Sequence, residues 1–154
     1  MSKIAVIYWS GTGNTAIMAN EIAAGIGTDA EVFSVDAFHG NVADYDKIAF
    51  GCSAMGDEVL EEAEFEPFFT AVEGSLKGKK VALFGSYGWG DGQWMRDWED
   101  RCAKAGANLF GDGLIVCGMP DADGKANCKA YGEKFAAYLF LTNFPLHTLT
   151  LGNS

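Results

Sequence analysis

Short apolar runs alternate along the chain with longer stretches of helical periodicity. The runs lie at 3–8, 31–35, 47–52 and 80–85, with a fifth split between 108–110 and 114–117. Between them, apolar residues recur at three- and four-residue spacing near 15–24, 65–75, 93–105 and 125–139. Val81-Ala82-Leu83-Phe84 is apolar at every position, which means that both faces of that strand are covered. Strands alternating with helices predict an α/β fold, a single doubly wound parallel sheet of five strands with helices on both faces. The connection 36–46 is short and holds Gly40 and Asn41, so it is expected to carry a turn or a stub of helix. Residues 1–140 form one domain in this reading. The stretch 141–154, apolar without periodicity and interrupted by Pro145, is a tail of unknown role.

In a parallel sheet the C-terminal ends of the strands share one edge, and ligands collect there. Three loops become candidates together. The first is Ser10-Gly11-Thr12-Gly13-Asn14-Thr15, set between an apolar run and a helical pattern. Its glycines allow a tight turn, and the opening of the following helix offers unpaired N–H groups and a partial positive charge. That is an anion site, and with no Lys or Arg in the loop the donors are neutral. A nucleoside-triphosphate loop is excluded because no Lys follows Gly13. A dinucleotide fingerprint is formally present as Gly11, Gly13 and Ala16, with Asp36 as its acid. Against it, the many hydroxyls suit the oxygens of a terminal phosphate monoester better than a bridged diphosphate. The plainest alternative is an ordinary turn with Thr12 or Asn14 capping the helix.

The other two loops are Ser53-Ala54-Met55-Gly56-Asp57-Glu58 and Ser86-Tyr87-Gly88-Trp89-Gly90-Asp91. Trp89 stands between two glycines, outside any periodic pattern, and an aromatic placed so offers its face to something flat. Met55 in the opposing loop is suited to the other face of a ring. Trp94 and Trp98, four apart in a helical stretch, read as packing residues.

At 154 residues the chain is one domain, and its net charge of −10 argues against nucleic acid as a partner. An acidic surface favours partners with basic docking faces. Cys52, Cys102, Cys117 and Cys128 show no metal spacing and read as reduced thiols, mostly small apolar side chains. No signal peptide and no membrane-length run is seen, so a cytoplasmic location is expected.

Taken together, Trp9–Thr15 (W-S-G-T-G-N-T), 51–58 (G-C-S-A-M-G-D-E) and 83–92 (L-F-G-S-Y-G-W-G-D-G) resemble the short-chain flavodoxins of anaerobic bacteria, over about residues 3–140. The resemblance implies strand order 2-1-3-4-5 with FMN at the switch point, an order that comes with the family and not from periodicity. It implies that Ser10, Thr12, Asn14 and Thr15, with N–H groups from Gly11 through Gly13 to Thr15, hold the FMN phosphate. Trp89 stacks on the outer face of the isoalloxazine and Met55 covers the inner one. Glu58 accepts a bond from flavin N3–H. Gly56, in its peptide with Asp57, is a redox switch whose carbonyl turns toward N5 in the neutral semiquinone. Ser53, Ala54, Ser86, Tyr87, Gly88, Gly90 and Asp91 supply further contacts to the ring.

Such a protein is a low-potential one-electron carrier and not an enzyme, a monomer exchanging electrons with ferredoxin-type donors and acceptors. Seven acids and no Lys or Arg lie between Ile48 and Leu76. One carboxylate about 10 Å from the ring, at an effective dielectric near 20, opposes an added electron by roughly 1.7 kcal/mol. For Glu61, Glu62 and Glu73 a solvated surface is the preferred reading. The competing function is a small FMN- or nicotinamide-dependent reductase of quinone-like molecules. No nucleophile, general base or metal cluster accompanies the loops, and only His39 and His147 are present.

Overall fold

A computed structural model describes residues 3–138 of the chain. Five parallel strand positions form the sheet, in the order 2-1-3-4-5 counted along the chain. The strands are β1 (Ile4–Trp9), β2 (Ala30–Ser34), β3 (Lys47–Cys52), β4 (Lys80–Tyr87), β5 (Asn108–Leu109) and β6 (Leu114–Cys117). The split expected in the last strand is real: β5 pairs with the start of β4 and β6 with its end. Phe110 to Gly113 form the break between them. The helices are α1 (Asn14–Ile26), α2 (Phe65–Glu73), α3 (Gln93–Lys104) and α4 (Ala122–Ala136). Residues 35–46 hold two single-turn 3₁₀ segments, Val35–Ala37 and Val42–Asp44, and no α-helix crosses between β2 and β3. The expected tail 141–154 and the last residue of the helix expected at 125–139 lie outside the described residues.

Period-two alternation sorts each strand between two cores. Ala5, Ile7, Ile48, Phe50, Val81 and Leu83 face α2 and α3, where Phe65, Phe69, Trp94 and Trp98 fill the layer. Ile4, Val6, Ala49, Ala82 and Phe84 face α1 and α4, against Met18, Ile22, Cys128 and Phe135. On that second face two glycines let the helices cross closely. A Cβ on Gly25 would lie 2.0 Å from the Lys129 carbonyl oxygen, and one on Gly132 2.0 Å from that of Ile22.

Candidate functional site

The first loop leaves β1 and turns at Gly13, whose φ of 99° is one that a side chain disfavours. α1 begins at Asn14, and neither Thr12 nor Asn14 caps it. Ser10 performs that task from further back, its Oγ accepting from the N–H of Gly13 at 3.1 Å and of Ala16 at 3.2 Å. With both lone pairs so engaged, the Ser10 hydroxyl is left as a donor. The N–H groups of Gly11, Thr12, Asn14 and Thr15 meet no acceptor among the described residues. Four backbone donors and a serine O–H at a helix opening match the oxygens of a phosphate monoester.

Hydroxyls tie the three loops together. Thr15 Oγ1 is fully buried, 2.7 Å from Ser53 Oγ and 3.1 Å from Ser86 Oγ, and it accepts from the Ser86 N–H. The Ala54 N–H donates to the Ser86 carbonyl at 3.0 Å. Thr15 thus spends its hydroxyl on joining loops and retains its N–H for an anion.

A cleft of about 300 Å³ opens between these loops. Gly11, Thr12 and Asn14 line it from the first loop, Ser53, Ala54, Met55 and Gly56 from the second, and Ser86, Tyr87 and Gly88 from the third. Trp9 and Gly118 line it too, and sequence reasoning named neither as a site residue. Both follow from strand position, Trp9 being the last residue of β1 and Gly118 the first after β6, on the same sheet edge. Asp57, Glu58, Trp89, Gly90 and Asp91 stand outside the lining. Trp89 is the neighbour of Gly88 at the mouth and is 64% exposed. Asp91 pairs with Arg96 at 2.9 Å at the surface.

Met55 and Glu58 close a tight turn, Glu58 N–H to Met55 O at 2.8 Å and Met55 N–H to Val59 O at 3.0 Å. Glu58 adopts φ 53°, the one left-handed non-glycine among the described residues. Its Oε1 accepts from the Gln93 N–H at 2.9 Å, which fastens the turn to the start of α3. The carboxyl group rests on Gly90, where a Cβ would lie 2.5 Å from its carbon. Gly56 is free of such contacts: a Cβ there meets nothing within 4 Å.

The acidic run divides in a way that sequence did not show. Glu61, expected in solvent, is only 7% exposed, and its carboxylate accepts from the N–H groups of Ala63, Glu64 and Phe65 at 2.7 to 2.8 Å. Burial raises its pKa, but those three bonds outweigh it and hold the carboxyl below its usual range. Glu73, also expected in solvent, is paired with Arg101 at 2.9 Å. Arg101 further grips Glu66 through both Nη atoms at 2.8 and 2.7 Å and lies 4.9 Å above the Phe69 ring. The bonds from Arg101 depress the Glu66 pKa. Glu62 alone of the three is exposed, as expected.

All four thiols are free. Cys52, Cys102 and Cys128 are buried, and burial pushes Cys52 and Cys102 up to about 12 and Cys128 to about 11, which leaves them inert. Cys117 departs from the apolar expectation by being exposed. Among the described residues no acid, His or Cys cluster could hold a metal, and no helix is long and apolar enough to cross a membrane.

Comparison with known proteins gives the family of the chain. The family profile described as Flavodoxin matches residues 6–132. The chain belongs to the flavodoxin family. It is 50% identical over 135 residues to a flavodoxin of Clostridium beijerinckii, covering 85% of this chain and 97% of that one. It is also 50% identical over 137 residues to a flavodoxin of Megasphaera elsdenii, covering 86% and 98%. The solution structure of the two-electron reduced Megasphaera elsdenii flavodoxin superimposes with a TM-score of 0.77, at 46% identity over 88% of this chain and 99% of that one. An oxidised flavodoxin from Bacillus cereus does so at 0.78 with 30% identity, over 90% and 100%. The strand order expected from the family is the order observed.

Proposed function

We propose that this chain is a low-potential, one-electron carrier that works through one non-covalently bound FMN. The observation that carries the reading is one cleft built from three βα loops, with unpaired N–H donors at one end and Met55, Gly56 and Gly88 at the other. FMN, when bound, supplies one-electron redox chemistry. The residues supply the rest. The first loop would hold a dianionic ester with neutral donors, Met55 and Trp89 would cover the two faces of the ring, and Glu58 would accept from N3–H. The Glu58 carboxylate has room for that bond beside the one from Gln93, because an ionised carboxyl accepts several hydrogen bonds.

Gly56 is free to turn its peptide with Asp57, and its carbonyl would accept from flavin N5 only where that nitrogen carries a proton. A bond made in one state alone shifts that state's population. A net bond of about 1.4 kcal/mol moves a one-electron couple by roughly 59 mV. Asp57 and Glu58 would add negative charge that disfavours further negative charge on the ring. Exposed acids beside an open mouth also suit a partner with a basic surface, so the substrate of this carrier is the electron of another protein, of the ferredoxin type. The monomeric state and a cytoplasmic location belong to the same reading.

Stepwise reduction of the purified protein, followed by visible absorbance, tests it. A yellow protein that passes through a long-wavelength radical band is expected. A colourless protein unable to take up FMN, or nicotinamide-driven turnover without a radical, would reject the carrier in favour of a reductase.

A further inference from the structure

A second cavity, of about 220 Å³, adjoins the phosphate loop and shares Trp9 with the first. Gly11, Thr12 and Asn14 lie on the ring-cleft side, whereas Ser10, Gly13, Ala16, Asp36 and Glu64 line the other. Three of the four residues of the formal dinucleotide fingerprint, Gly13, Ala16 and Asp36, are therefore in this second cavity. In dinucleotide-binding folds the acid at the end of the second strand receives the ribose of the second nucleoside. Trp9 lines both cavities, so a flavin dinucleotide laid from the cleft to Asp36 would run past its side chain.

Trp9 is fixed in that path. Its Nε1 donates to Glu64 Oε1 at 2.9 Å, and its ring lies on Gly11, where a Cβ would be 2.9 Å from Cη2. Glu64 precedes α2 yet makes no cap bond, since Glu61 has taken the helix-opening N–H groups. That division of labour frees the Glu64 carboxylate to hold the indole. Among the described residues, Glu64 and Asp36 are the only charged ones lining the second cavity, and both are anionic.

We propose that Trp9 and Glu64 form an ester gate that admits a terminal phosphate monoester and excludes a flavin dinucleotide. The indole occupies the route of the second phosphate, and Glu64 and Asp36 repel its charge. Discrimination is a difference of affinities, and obstruction of the wrong ligand contributes to it as directly as contact with the right one. The gate rests on the FMN reading and adds the choice between two flavin esters.

The test is titration of flavin-stripped protein with FMN, FAD and riboflavin at fixed ionic strength, followed by quenching of flavin fluorescence. Wild-type protein is expected to bind FAD at least about 100-fold more weakly than FMN, the size of about 2.7 kcal/mol. Trp9→Leu should shrink the FAD-to-FMN ratio by about tenfold or more, 1.4 kcal/mol on the same scale. Glu64→Gln, which keeps an acceptor for the indole and the side-chain volume, should shrink it by about threefold or more, and less in high salt. The second variant carries the test if the first does not fold. A wild-type protein that binds both esters alike, or a ratio unmoved in the folded variants while FMN binds tightly, overturns the gate alone. Failure to bind either FMN or riboflavin overturns the gate together with the reading beneath it.

Discussion

Replacing Glu61 by Gln isolates one buried charge that holds the loop between the Met55–Val59 turn and α2. In the native protein Glu61 Oε1 accepts from Glu64 and Phe65 and Oε2 from Ala63, three charge-assisted bonds in a nearly dry site. Gln matches the shape but turns one oxygen into an NH₂, which then faces a backbone N–H. A hydrogen bond to a charged group contributes about 1.5–3 kcal/mol, and an orphaned buried donor costs a similar amount. Easier burial of a neutral amide offsets part of this loss, so a net destabilisation of about 2 kcal/mol is expected. For a chain of this size that lowers the melting temperature by about 4–8 °C. The assay is thermal or urea unfolding of both proteins at one fixed FMN concentration, because ligand shifts apparent stability. The pH dependence is the sharper readout. A carboxyl whose folded pKa is depressed stabilises fully above its unfolded value, about 4.3, and loses that contribution as pH falls through the folded value. The gap between the two proteins should be complete at pH 7 and narrow progressively as pH falls below about 4.3. A gap under about 0.5 kcal/mol at pH 7, or one of equal size at pH 3.5, would refute the cap assignment.

Three other outcomes are expected. Gly132→Ala should destabilise by more than about 2 kcal/mol in urea unfolding, even though Ala is the better helix former by about 1 kcal/mol, because its Cβ would strike the Ile22 carbonyl. A neutral or stabilised variant would mean that the α1–α4 crossing is looser than described. Trp89→Ala should weaken FMN binding by about 1–3 kcal/mol, as for stacking on other flat bases, and unchanged affinity would remove Trp89 from the ring. Gly56→Val should leave oxidised FMN binding nearly intact, since a Cβ there has open space, yet reduce the radical absorbance during reductive titration. Persistence of that band would dismiss the peptide switch.

The fold was largely legible because its strands are apolar on both faces. The interval 47–52 is strand to the residue, and Trp94 and Trp98 pack as their spacing says. Helix ends were less legible. α1 starts at Asn14 because Ser10 caps from outside the turn, and α4 starts at Ala122 behind Asp121, whose side chain accepts from the Gly124 N–H. The loops were found because their glycines, hydroxyls and Trp89 break periodicity. Tertiary pairing was not legible at all. The bond from Arg101 to Glu73 spans 28 residues and that from Trp9 to Glu64 spans 55, and no local spacing encodes such separations. Glu61 had a local signal in its place four residues before α2, but a carboxylate serving that helix end looks in sequence like one in solvent.

The shared hydroxyl contact of Thr15, Ser53 and Ser86 makes the three loops around the cleft a single mechanical unit. Movement of one loop drags the other two, so little ordering is left to be done when a cofactor arrives.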